Sequence, residues 1–133
     1  MLKEYMLQLG YSIEDYDYFK SNFILSRYDE HSLLDKIKTN YAFLISLGYS
    51  HKEIIKMTKI FPSLYGYTIT NIEQKINNLM SLGYNQAEVI KMTTSLPSLY
   101  GYSIANIKQK INDLMSLGYS QDEIIDIIDG EIF

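Results

Sequence analysis

The strongest constraint on this chain is that it repeats itself. Residues 46–80, SLGYSHKEIIKMTKIFPSLYGYTITNIEQKINNLM, realign without a gap on residues 81–115, SLGYNQAEVIKMTTSLPSLYGYSIANIKQKINDLM, with 24 of 35 positions identical. A third copy of the first half, SLGYSQDEIIDIID, starts at Ser116, and a diverged one, QLGYSIEDYDYF, covers Gln8 to Phe19. Gly10 precedes Gly48 by 38 residues rather than 35, so the first copy carries three extra residues, expected near Arg27 to Ser32. A unit this short cannot cover its own apolar face, and stacked copies bury it for one another. One helical-repeat domain over 1–133 is therefore expected, with a diverged N-terminal repeat and cap (1–45), two repeats (46–80 and 81–115) and a half-repeat C-terminal cap (116–133).

Each unit reads as two helices joined by a kinked connection. Ser50, Asn85 and Ser120 are N-cap types followed three residues later by Glu53, Glu88 and Glu123, and Ser12 is followed by Asp15. That is the capping-box spacing, in which side chain and backbone satisfy each other's free groups at a helix start. Ile54, Thr58 and Phe61 then share one face, flanked by Ile55 and Met57. Pro62 and Pro97 end this first helix, since proline lacks an N–H and moves its predecessor out of the helical region. The following Ser-Leu-Tyr-Gly-Tyr fits a turn or a single turn of 3₁₀ helix. Thr68 and Ser103 cap a second helix with an apolar stripe at Ile69, Ile72, Ile76, Leu79 and Met80. Gly48, Gly83 and Gly118 stand where a left-handed residue closes that helix, with Tyr49, Tyr84 and Tyr119 next to pack back on it. No strand pattern competes, so the fold is expected to be all-α, with seven to nine helical segments. Its core should hold Ile54, Leu64, Ile72, Ile76, Leu79, Ile90, Leu99, Ile107, Ile111 and Leu114.

Composition narrows the chemistry. With 47% apolar residues in 133 the chain can bury a core. It has no Cys, which removes disulfides, thiolate metal sites and thiol nucleophiles together. Only His31 and His51 could supply imidazole, and no motif orients either as a base or pairs them as ligands. There is no Gly-rich phosphate loop and no His-Glu-x-x-His, so neither catalysis nor a cofactor is expected. The acids Asp122, Asp126, Asp129 and Glu131 lack the glycine turn and alternating ligands of an EF-hand and read as a solvated cap. No apolar run is long enough to span a membrane. The N-terminal segment carries Glu4, Glu14, Asp15 and Asp17, too acidic for a mitochondrial presequence and too interrupted for a secretory one. A cytoplasmic location is expected.

The string GYSxxEIIKMTxxxPSLYGYSIxNIxxKIxxLxxLG resembles the repeat of the mitochondrial transcription termination factor (mTERF) family. Gly48, Ser50, Glu53, Ile54, Pro62, Leu64, Thr68, Ile72, Lys75, Leu79 and Gly83 carry the likeness, and Glu88, Pro97, Leu99, Ser103, Ile107, Lys110, Leu114 and Gly118 carry it again. A fainter likeness is to TAL-effector-like repeats, which share the Gly-aromatic-Ser helix start but lack the Pro-Ser-Leu-Tyr element. The mTERF resemblance implies a short right-handed α-solenoid of helix pairs with Pro-containing 3₁₀ turns, whose concave basic surface holds double-stranded DNA or RNA.

The net charge of −4 hides a segregation: residues 1–35, 36–112 and 113–133 carry −4, +6 and −6. The outward face of the first helix reads Glu14, Tyr18, Ser21, then Lys52, Lys56, Lys59, then Ala87, Lys91, Thr94, then Asp122, Asp126, Asp129. A face that tracks phosphates stays basic from unit to unit, whereas this one inverts. On the second helix Lys75 and Lys110 recur beside the apolar stripe, with Lys38 and Lys108 nearby. These lysines are either phosphate contacts or stems that cover the core edge while their charges reach water. Tyr65, Tyr67, Tyr100 and Tyr102 likewise either stack on bases or pack the joint between helices. The candidate nucleic-acid contacts are thus Lys75, Lys110, Lys108, Lys38, Lys56, Lys91 and Lys59. A rival reading is a protein-interaction scaffold or inhibitor that uses the opposed faces for specificity; the same faces permit weak head-to-tail self-association.

Overall fold

A computed structural model describes residues 1–129. Among them there are eight α-helices and three short 3₁₀ turns and no strand. In order these are α1 (Leu2–Leu9), α2 (Ile13–Ser21), η1 (Leu25–Arg27), α3 (Glu30–Leu47), α4 (His51–Ile60), η2 (Pro62–Gly66), α5 (Ile69–Met80), α6 (Gln86–Ser95), η3 (Pro97–Gly101), α7 (Ile104–Ser116) and α8 (Gln121–Asp129). The chain divides into two compact units that meet between Ile69 and Thr70, at the first turn of α5. In the first unit α1 packs on α2 and α3, and η2 is held by α3, α4 and η1. In the second, α6 packs on η3 and α8, and α7 on α8.

The helix boundaries follow local chemistry. Reciprocal capping boxes close the starts of α2, α4 and α6, and Ser120 with Glu123 makes the same pair of bonds at α8. At the other end of α4 and α6 the residue before each proline leaves the helical region in the same way, Phe61 at φ −130°, ψ 70° and Leu96 at φ −132°, ψ 77°. Gly10, Gly48 and Gly118 have φ of 106°, 111° and 99°. After each, the tyrosine N–H reaches back to a helix carbonyl, Tyr11 to Met6, Tyr49 to Leu44 and Tyr119 to Leu114. That is a Schellman closure, which satisfies carbonyls the helix end would otherwise leave open.

Two sequence-level expectations are corrected. The surplus of the first repeat is not in the connection at Arg27 to Ser32. Gly48 lies 18 residues beyond Glu30, the first residue of α3, whereas Gly83 lies 14 beyond Ile69, the first of α5. The extra residues form about one additional turn inside α3. In the core, Ile54, Leu64, Ile72, Ile76, Leu79, Leu99, Ile107 and Ile111 are buried, but Ile90 and Leu114 are only half-buried. Val89, not Ile90, occupies the place of Ile54 and is fully buried, because the repeat register puts Ile90 where Ile55 stands. Leu114 matches the buried Leu79 in register, yet it lies at an end of α7 where Met115, Leu117 and Tyr119 are exposed as well.

Within the first unit a buried hydroxyl chain ties three elements together. The Thr58 hydroxyl donates to the Ile54 carbonyl at 2.7 Å. Thr58 Oγ1 therefore accepts from the Tyr11 phenol at 2.5 Å, and Tyr11 in turn accepts from Tyr65 at 2.7 Å. Phe19 packs edge-on against Tyr11, ring centroids 5.1 Å apart. Tyr84 contrasts with Tyr11: it is 3% exposed, yet its phenol oxygen has no hydrogen-bond partner among the described residues. Counting by repeats, the place of Thr58 relative to Tyr11 is taken for Tyr84 by Ile128, which has no hydroxyl. Tyr11→Phe is expected to cost about 1–2 kcal/mol, since Tyr65 then loses its acceptor in the core, whereas Tyr84→Phe should be neutral or stabilising. Urea denaturation midpoints of the two variants check this. Burial also raises the Tyr11 phenol to about 12. Its contribution is fully present below pH 10, where unfolded phenols keep their protons, and is lost as pH rises through about 12. Tyr11→Phe should therefore flatten the alkaline fall in stability.

Candidate nucleic-acid interface

The candidate lysines fall into three structural situations. Lys59 on α4 lies 3.5 Å from Asp15 on α2, and Lys91 on α6 lies 3.9 Å from Asp126 on α8. Each joins two first helices of neighbouring repeats within one unit. Burial raises the Asp15 carboxyl, but the hydrogen bonds from Ser12 and the Lys59 ammonium outweigh it, and the group stays below the usual carboxylate range. Lys38 on α3 holds its ammonium 5.1 Å from the centre of the Tyr5 ring, a cation–π contact. Lys56 and Lys108 are exposed and form no ion pair among the described residues.

Lys75 and Lys110 are half-buried. Lys75 lines a narrow crevice with Leu79, Leu99, Tyr102 and Ile107, so its stem covers the core edge in the second unit. In the first unit the residue eight positions before the closing glycine, the register of Lys75 and Lys110, is Asn40. It is 2% exposed, and its Nδ2 donates to the carbonyls of Tyr65 and Tyr67 at 2.8 and 2.9 Å, with Leu64 at 3.4 Å. Asn40 thereby holds η2 against α3. Sequence reasoning missed it, although a count back from Gly48 places it in line with the two lysines.

The tyrosines divide in the same way. Tyr65 and Tyr100 are fully buried, so stacking on bases is excluded for them in this conformation, while Tyr67 and Tyr102 are half-buried. Tyr67 meets Phe61 edge-on at 6.1 Å. Gly66 lets η2 approach η1, because a Cβ there would lie 2.8 Å from the Ile24 side chain. Among the described residues no group of three or more His, Cys, Asp or Glu side chains is placed to hold a metal ion, and no helix is long and apolar enough to cross a membrane.

Paired helices in tandem copies, closed by left-handed glycines and joined in the two complete repeats by a Pro-started 3₁₀ turn, define a helical-repeat protein. The mTERF family model matches residues 19–130, and the chain belongs to that family. No curated protein matches the sequence.

Proposed function

We propose that this protein is a non-enzymatic nucleic-acid-binding repeat protein. Its 35-residue units stack as a short right-handed α-solenoid that holds the backbone of DNA or RNA. Family membership carries the reading, and the +6 stretch from Lys36 to Asn112 supports it. Lys56 and Lys108, exposed and without ion pairs among the described residues, are the readiest phosphate contacts. Lys38 stands over Tyr5, and Lys59 and Lys91 reach phosphate only by leaving Asp15 and Asp126. Lys75 and Lys110 are half-buried, and Lys75 lines the crevice beside Leu79, Leu99 and Ile107, so both are less open to a phosphate than Lys56 and Lys108.

Fluorescence anisotropy with labelled duplex DNA, duplex RNA and single strands at several salt concentrations tests this reading. On duplex DNA each neutralised phosphate contributes about −0.9 to the slope of log K against log salt. The double variant Lys56→Glu/Lys108→Glu is expected to weaken binding on all sequences alike and to make that slope shallower by about 2. No association with any of the three ligands at low salt ends the proposal.

A further inference from the structure

The charge inversion along the first helices leaves two complementary surfaces. In the first unit Leu9, Ile55, Lys52, Lys56 and Lys59 line an open cleft of about 430 Å³. Its floor is apolar, and Lys52 and Lys56, one helical turn apart on α4, form no ion pair among the described residues. In the second unit α8 exposes Asp122 and Asp126, also one turn apart, and no Lys or Arg follows Lys110 in the sequence. Just before α8, Leu117 is 75% and Tyr119 40% exposed. Large apolar side chains beside a charged helix face are the composition of a docking surface.

We infer that the cleft on α4 receives α8 of a second copy of this chain. Asp122 and Asp126 meet Lys52 and Lys56, and Leu117 or Tyr119 covers the apolar floor. Charge complementarity at matching spacing selects the occupant, since four residues on each helix span the same rise of about 6 Å. The chain already contains a pair of this type: Lys91, in the repeat position of Lys56, lies 3.9 Å from Asp126. The two surfaces differ, so the contact is heterologous and joins each copy to the next. Charges exposed at a rim act over about 10 Å at 0.1 M salt and are screened above it, which makes the association salt-sensitive.

Light scattering on protein freed of nucleic acid, at about 0.5 mM and low salt, should give a weight-average mass above the 15.5 kDa of one chain, returning to it at high salt. Lys52→Glu/Lys56→Glu and, separately, Asp122→Lys/Asp126→Lys should each give monomer at low salt. The chain carrying all four changes should associate again, because the charges are exchanged rather than lost. The Asp126–Lys91 pair is exposed and contributes little to folding, and Asp122→Lys alone, which leaves that pair intact, should also weaken association. A monomer at every salt concentration, association that survives either reversal, or no recovery in the exchanged chain overturns the inference. These outcomes are independent of the nucleic-acid assay, in which Lys108→Glu alone weakens binding and leaves self-association unchanged.

Discussion

Leu99→Ala should lower stability by about 2–5 kcal/mol, the range for removing a large aliphatic side chain from a closed core. Leu99 is 1% exposed and sits in η3 beside Leu79, Tyr102, Ile104 and Ile107. A 3₁₀ turn has weak hydrogen-bond geometry of its own, so η3 depends on what its leucine buries. Leu117→Ala, at a 75% exposed site, should stay within about 0.5 kcal/mol. Urea midpoints at unchanged m-value decide both. A Leu99→Ala loss below about 1 kcal/mol would mean that η3 is not anchored through this side chain.

Asn40→Ala is expected to cost about 3 kcal/mol, and Asn40→Asp more. The alanine leaves the carbonyls of Tyr65 and Tyr67 without the amide that satisfies them in a buried site, each such loss costing about 1–3 kcal/mol. The aspartate is nearly the same size, yet at neutral pH it sets a negative charge against the same carbonyl oxygens with no proton to donate. If the donor function matters and not volume, the near-isosteric change is the worse of the two. Thermal unfolding at pH 7 ranks them, and at low pH, where the carboxyl can regain a proton and donate one, the aspartate variant should recover ground relative to alanine. Equal losses at all pH values would show that Asn40 acts by filling space.

Asn40 shows why part of the candidate site could not be read from the chain. Its role depends on three carbonyls 24 to 27 residues away, presented only once η2 has turned. The same holds for Lys75. Its position eight residues before Gly83 is visible in the sequence, but the crevice that receives its stem is built by η3 and α7. Tyr65 and Tyr67 differ by two positions and are indistinguishable as aromatics beside a glycine. Packing alone buries the first completely and leaves the second half-buried.

The sequence by itself determined the repeat, the helix starts at Ser12, Ser50, Asn85 and Ser120, the proline stops after Phe61 and Leu96, and the left-handed glycines. Each depends on groups within about four residues of one another, or on a backbone preference of a single residue. It also determined the family, because spacing around the proline is a property of the string. Only the tertiary structure decided that the extra residues of the first repeat lengthen α3, that the Tyr11 phenol gains two partners where the Tyr84 phenol has none among the described residues, and that Lys59 and Lys91 face carboxylates. Those outcomes depend on which side chains meet across tens of residues. Burial, hydrogen-bond satisfaction and ion pairing acquire their values only at such meetings, and two chemically identical residues in successive repeats can therefore have different fates.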